Sequence, residues 1–230
     1  TGQPFVVAGT GTFAMDMAAA NLIEPNDNVL VISTGYFGER FAEISKRYGA
    51  NVTMLASETG NVVSLVDIEK ALSSKKYKLI TITHVDTSTG VLVNPKPIAE
   101  LAKKYNALSI LDGVCSVAGE EIQQEAWGID VVLTASQKAI GVPPGLALLV
   151  VSQKAIGEGG ASAEHPTRYI EEGEASLVFS GRIGARSRTF DYYLNATRIT
   201  GKGRYLMPRE WGREPFYTFM PRERNEGFGN

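Results

Sequence analysis

Seven short apolar runs organise the chain, at residues 5–8, 28–33, 51–55, 79–83, 108–111, 131–133 and 146–151. Strands with one wet face alternate apolar and polar residues, so runs this continuous point to strands covered on both faces. Between them lie stretches with helical spacing, at 14–23, 36–48, 66–72 and 97–105. Gly49 is placed to stop the second, and Pro97 is an acceptable first-turn residue for the last. Strand–helix alternation of this kind predicts a three-layer α/β fold, a mostly parallel sheet with helices on both faces.

In such a sheet, ligands sit beyond the carboxyl ends of the strands. The loops expected there are 9–12, 34–37, 84–89, the position of Asp112, and 136–138. All five are polar or glycine-rich, and their convergence on one sheet edge is the structural argument for a site.

Two residues give that edge a chemistry. Lys138 lies just past an apolar strand, among Ala135, Ala139, Ile140 and Val142, with Pro143-Pro144 stiffening the following turn. Such a lysine is expected to be desolvated, and desolvation lowers its pKa and frees it as a nucleophile and proton carrier. Asp112 ends another apolar strand, where a charge is costly without a partner. A lysine amine that forms a Schiff base and an aspartate that keeps a pyridine nitrogen protonated are the two groups a pyridoxal phosphate site needs. The other reading of Asp112 is the cap of a following turn. A metal ligand is disfavoured, because His84 and His165 are the only histidines.

The loop Gly9-Thr10-Gly11-Thr12 joins a strand to a helix N-terminus, where backbone amides and the helix dipole favour a phosphate. It lacks the third glycine of a dinucleotide fingerprint and the lysine of a phosphate-binding P-loop. A nucleotide-binding doubly wound domain remains an alternative, one in which Lys138 has no special reactivity. Tyr36 and Phe37 are candidates to stack on a planar cofactor or to start a helix. His84 is read as satisfying a local backbone group, Thr87 as an edge hydroxyl, and Cys115 as a small packed residue.

With these pieces assembled, the sequence resembles the class V, fold-type I aminotransferases, and within them the alanine–glyoxylate and serine–pyruvate enzymes. The resemblance runs from residue 5 to about 151 and rests on Ala8-Gly9-Thr10-Gly11-Thr12, Ser33-Thr34-Gly35-Tyr36-Phe37-Gly38-Glu39-Arg40, Thr83-His84-Val85-Asp86-Thr87-Ser88-Thr89-Gly90, Leu111-Asp112-Gly113-Val114-Cys115-Ser116 and Ser136-Gln137-Lys138-Ala139. It implies pyridoxal 5′-phosphate as cofactor, with Lys138 as the Schiff-base lysine and proton shuttle and Asp112 on the pyridinium nitrogen. It further implies Thr10, Gly11, Thr12 and Gln137 around the phosphate, Phe37 against the ring and Thr87 on its hydroxyl side. Phe37 stands where relatives often carry tryptophan, and Thr12 where they often carry histidine.

The implied activity is transfer of an amino group from alanine, or serine, to glyoxylate, with amino-acid and oxo-acid substrates and a homodimer. Serine–pyruvate, serine–glyoxylate and ureidoglycine–glyoxylate transamination are the alternatives within the class. Cysteine desulfurases carry histidine directly before the lysine, where this chain has Gln137. The family's N-terminal arm and its C-terminal domain, with the arginine that grips the substrate carboxylate, find no match here, so a fragment that binds cofactor without turnover is a further expectation.

Residues 1–155 are read as the large cofactor-binding domain, 156–180 as a linker with a flexible loop at 157–162, and 181–230 as an Arg-, Gly- and aromatic-rich tail without sustained periodicity. The tail carries ten Lys+Arg and five Asp+Glu, a net of +5, against −7 for the first 180 residues. Arg182, Arg186 and Arg188 are weighed there as an anion patch against a solvated terminus. Arg204 and Tyr205 loosely match a partner-subunit phosphate contact. The overall net charge of −2 argues for neither nucleic acid nor an anionic membrane as partner. A single cysteine excludes an internal disulfide and suits a reducing intracellular compartment, with cytoplasm, peroxisome and mitochondrion left open. No run approaches the roughly 18 apolar residues of a membrane span. The opening Thr1-Gly2-Gln3-Pro4 shows no signal peptide, and Thr1 is read as a cut point.

Overall fold

The computed structural model describes residues 2–160 and, beyond them, the backbone of four short strands at 170–171, 174–175, 177–182 and 189–194; side chains are described up to Glu158. The body runs β1 (Gln3–Ala8), α1 (Gly11–Leu22), β2 (Asn28–Ser33), α2 (Tyr36–Arg47), β3 (Asn51–Ala56), α3 (Leu65–Ser74), β4 (Leu79–Thr83), α4 (Pro95–Lys104), β5 (Leu108–Asp112), α5 (Gln124–Trp127), β6 (Val131–Ala135), β7 (Leu146–Val151) and α6 (Gln153–Gly160). Seven strands form one sheet in the order β1-β7-β6-β5-β4-β2-β3. The five from β3 to β6 pair in parallel, and β7 is antiparallel to both of its neighbours. A parallel return needs a crossover of a dozen or more residues, and the ten between β6 and β7 are too few, so the chain doubles back. The expected three-layer, mostly parallel sheet is the observed one.

Alternation along the strands splits the core in two. Val29 and Val31 point into the face shared with α1, α2 and α6. Leu30 and Ile32, one residue out of phase, join the face covered by α3, α4 and Trp127 of α5. The central β2, β4, β5 and β6 are buried almost throughout, which accounts for their continuous apolar sequences. Gly49, at φ +83°, ends α2 in the left-handed region that favours glycine.

Three local expectations are corrected. The fourth helix starts at Pro95, not Pro97, because the Asn94 side chain accepts a hydrogen bond from the Lys96 amide and caps it there. The short α5, capped by left-handed Gly128, lies where no helix was expected. Chain read as the start of a linker continues as α6 to Gly160, so the expected loop at 157–162 opens on helix. Within 156–180 and the tail, β8 (Ile170–Glu171) pairs with β9 (Glu174–Ala175), and β10 (Leu177–Arg182) with β11 (Thr189–Leu194), as antiparallel ladders. His165, Arg186, Arg188, Arg204 and Tyr205 lie outside the described residues, as does the Arg182 side chain.

Candidate active site

The carboxyl ends of β4, β5 and β6 and the N-terminus of α1 surround a cleft of about 140 Å³. Thr10, Gly11, Thr12, Phe37, Thr87, Asp112, Gln137 and Lys138 all line it, so every site residue expected from sequence comes to one place. Met15, Val85, Val114 and Cys115 complete the lining. The three apolar residues among them carry no chemical signal by which sequence could have marked them.

Thr10 sits in extended backbone and caps α1, its hydroxyl accepting from the Phe13 amide at 3.2 Å. The first intrahelical bond is donated by Ala14 to the Thr10 carbonyl at 3.0 Å, so the Gly11 and Thr12 amides precede the ladder at the positive end of the helix. Gly11 is required by packing, since a Cβ there would stand 2.8 Å from Val114 Cγ2.

Asp112 is 3% exposed. Its Oδ1 accepts from the Val114 amide at 3.0 Å, so the side chain caps the following turn while it also lines the cleft. No cation pairs with it among the described residues. Burial, aided by the nearby charge of Asp86 and opposed by the Val114 hydrogen bond, pushes its carboxyl up to about 6.

Lys138 departs from expectation in one respect. It is exposed, as are Ala139, Ile140 and Val142, so the desolvation predicted from its neighbours is not present. The loop that carries it lies at the open rim, where the apolar neighbours turn outward instead of enclosing the amine. The loop is nonetheless held at both ends. Ser136 Oγ donates to the Pro143 carbonyl at 2.7 Å and accepts from the Leu146 amide at 3.3 Å. The Gly9 amide donates to the Gly145 carbonyl at 2.8 Å, tying the lysine loop to the start of the phosphate loop.

His84 is buried and bonds through Nδ1 with the Ser116 hydroxyl at 2.9 Å, not with a local backbone group. Burial lowers its pKa, against the raising effect of Glu120. Tyr36 is 57% exposed and meets Phe37 edge-on, with ring centroids 5.2 Å apart; it does not line the cleft. Cys115 is half-buried with its Sγ 2.7 Å from Thr87 Oγ1, so it belongs to the pocket wall. Asp86, quoted in the sequence only as part of a motif, is wholly buried behind Phe37 and Thr87. It lies three residues beyond the end of β4, in the loop before α4.

These residues fit pyridoxal phosphate on two observations of the cleft itself. A buried carboxylate without a cation is suited to a protonated ring nitrogen, and a helix N-terminus beside it is suited to a phosphate. Among the described residues no three His, Cys, Asp or Glu side chains gather as metal ligands, and no helix is long and apolar enough to cross a membrane.

The sheet with its helices and this edge-on cleft is the architecture of a fold-type I large domain. It superposes on the alanine–glyoxylate aminotransferase from Nostoc sp. with a TM-score of 0.68 at 35% identity, covering 70% of this chain and 42% of that one. The ureidoglycine–glyoxylate aminotransferase from Bacillus subtilis gives a TM-score of 0.68 at 34% identity, covering 69% and 41%. Residues 5–169 match the aminotransferase class-V family, and the chain belongs to that family, whose members depend on pyridoxal phosphate. Among curated relatives, alanine–glyoxylate aminotransferase 1 of Saccharomyces cerevisiae is 45% identical over 158 residues, which are 66% of this chain and 41% of that protein. The (S)-ureidoglycine–glyoxylate transaminase of Bacillus subtilis is 33% identical over 187 residues, 81% of this chain and 45% of that protein. The chain thus spans about two fifths of the length of these relatives.

Proposed function

We propose that the chain is the cofactor-binding portion of a pyridoxal-phosphate aminotransferase that moves an amino group from alanine, or serine, to glyoxylate, giving glycine and an oxo acid. The observation that carries this reading is the meeting of Asp112, Lys138 and the α1 N-terminus at one cleft. When bound, pyridoxal phosphate supplies the electron sink for loss of the α-proton.

This chain's own residues supply the rest. Thr10, Gly11 and Thr12 hold the phosphate with amides and hydroxyls, and Gln137 adds a side-chain donor. Asp112, ionised, keeps the ring nitrogen cationic. Phe37 offers an aromatic face and Thr87 a hydroxyl. Lys138 is the base that takes the α-proton from the amino acid and returns it. A homodimer is proposed on the resemblance alone.

Ureidoglycine as donor is the second reading, favoured by one observation: the match to the Bacillus subtilis transaminase extends over 81% of the chain, further than the alanine–glyoxylate match. The two separate in one assay. Glyoxylate is supplied with pyridoxal phosphate and with alanine, serine or ureidoglycine in turn, and glycine is measured. Glycine from alanine or serine supports the first reading, and glycine from ureidoglycine alone the second. Cofactor bound on Lys138 with no glycine from any donor shows a portion that binds cofactor without turnover by itself, and no cofactor on Lys138 contradicts both readings.

A further inference from the structure

Asp86 is a charged group at the edge of the cleft for which the chemistry above has no use. It follows β4, is 0% exposed, and has no Lys or Arg partner among the described residues. A buried carboxylate is tolerated only where donors replace water. Here Oδ2 accepts from the Phe37 and Gly38 amides at 2.9 and 3.3 Å, and Oδ1 from the Ser88 amide and hydroxyl at 2.9 and 2.6 Å. Phe37 and Gly38 are in the first turn of α2, whose dipole adds to the attraction.

The arrangement joins two segments that are remote in sequence. The Ser88 hydroxyl also accepts from the Tyr36 amide at 3.0 Å, and the Thr89 hydroxyl donates to the Thr34 carbonyl at 3.0 Å. The carboxylate reaches the helix because residue 35 has no side chain. A Cβ on Gly35 would stand 2.8 Å from Asp86 Cγ. On the cleft side of this junction are Phe37, from α2, and Thr87, the residue after Asp86.

We propose that Asp86 is a positioning residue: its carboxylate locks the start of α2 to the β4 loop and so sets Phe37 and Thr87 as the ring-side walls of the cleft. The inference rests on the reading that this cleft takes pyridoxal phosphate. An amide cannot replace the carboxylate. Asparagine has one acceptor oxygen, and its NH2 would face amide or hydroxyl donors on the other side. A cap that served the helix alone would affect stability and leave the ring contacts unchanged. A positioning group affects the ring contacts and spares the phosphate contacts, which α1 provides.

The test uses the full chain, with Asp86→Asn, Ser88→Ala and Thr12→Ala variants. Pyridoxal 5′-phosphate and phosphate-free pyridoxal are titrated, visible circular dichroism is read per ligand fixed to Lys138, and ligand-free melting is recorded. Asp86→Asn is expected to weaken both ligands by the same factor, tenfold or more, and to change the visible dichroism. Ser88→Ala does likewise to a smaller extent, whereas Thr12→Ala weakens only the phosphate ester. If Asp86→Asn fails to fold, Ser88→Ala decides. Unchanged affinity and dichroism in the folded variants, whatever their melting, overturn the proposal. Absence of any Lys138 adduct in the unaltered chain overturns the cofactor reading itself, and the proposal with it.

Discussion

The Ser116 hydroxyl lies 2.9 Å from Nδ1 of His84, and both side chains are buried. That bond ties the end of β4 to the turn that follows Asp112, while the His84 amide donates to the Asp112 carbonyl at 3.0 Å. Removing the hydroxyl leaves a buried ring nitrogen without its partner. Ser116→Ala is therefore expected to lower unfolding stability by about 1–3 kcal/mol, read from the urea midpoint at constant slope.

The difference in pH dependence between the cofactor-free protein and its Asp112→Asn variant isolates Asp112. Its carboxyl ionises near 3.8 when unfolded and about 6 when folded, so between these values the folded state holds the proton more tightly. The corresponding stability is fully present below the unfolded value and lost as pH rises through the folded one, a fall of roughly 3 kcal/mol at ~1.4 kcal/mol per unit. Asp112→Asn lacks this contribution and keeps those of buried His84, whose lowered pKa acts in the opposite direction, and of Asp16, whose raised pKa acts in the same one. Urea unfolding of both proteins from pH 4 to 7 checks this, and saturating pyridoxal phosphate is expected to flatten the curve of the unaltered chain by placing a cation beside the carboxylate.

Gly38 puts the first turn of α2 directly on β2. A Cβ at this position would come within 2.6 Å of Ser33 Cα, a backbone atom that cannot rotate away. Gly38→Ala is expected to cost about 1–3 kcal/mol and to displace Phe37 from the cleft. Thermal melting and the intensity of the bound cofactor's visible band report the two effects separately.

Ile44 provides a control remote from the chemistry. It is wholly buried in the core shared by α1, α2 and the sheet. Ile44→Ala is expected to cost about 2–5 kcal/mol in chemical denaturation. Cofactor affinity of the remaining folded protein should be unchanged, because Ile44 does not line the cleft.

The parts of this molecule that sequence discloses are those written in local pattern. The strands Asn28–Ser33, Leu79–Thr83 and Leu146–Val151 match their apolar runs end to end; the first two are buried almost throughout, whereas the third buries alternate residues and was legible from its unbroken apolar run alone. Asp112 and Thr10 were identifiable because a charge ending an apolar strand and a threonine before a helix have few other uses. What local pattern misses is contact made across the chain. The Asp86 clamp spans 49 residues to Phe37, and the outward turn of Ile140 and Val142 depends on what covers the rim, not on their hydropathy. The helix Gln153–Gly160 contains three glycines that argue against it locally.

The central claim is that Lys138 and Asp112 act on one pyridoxal phosphate ring, and borohydride trapping tests it most directly. The protein is mixed with the cofactor, reduced, digested, and the adduct located by mass spectrometry. The account predicts a single modified residue, Lys138, with the visible band lost in Lys138→Ala and weakened in Asp112→Asn. Labelling spread over surface lysines, or a band indifferent to both substitutions, would contradict it.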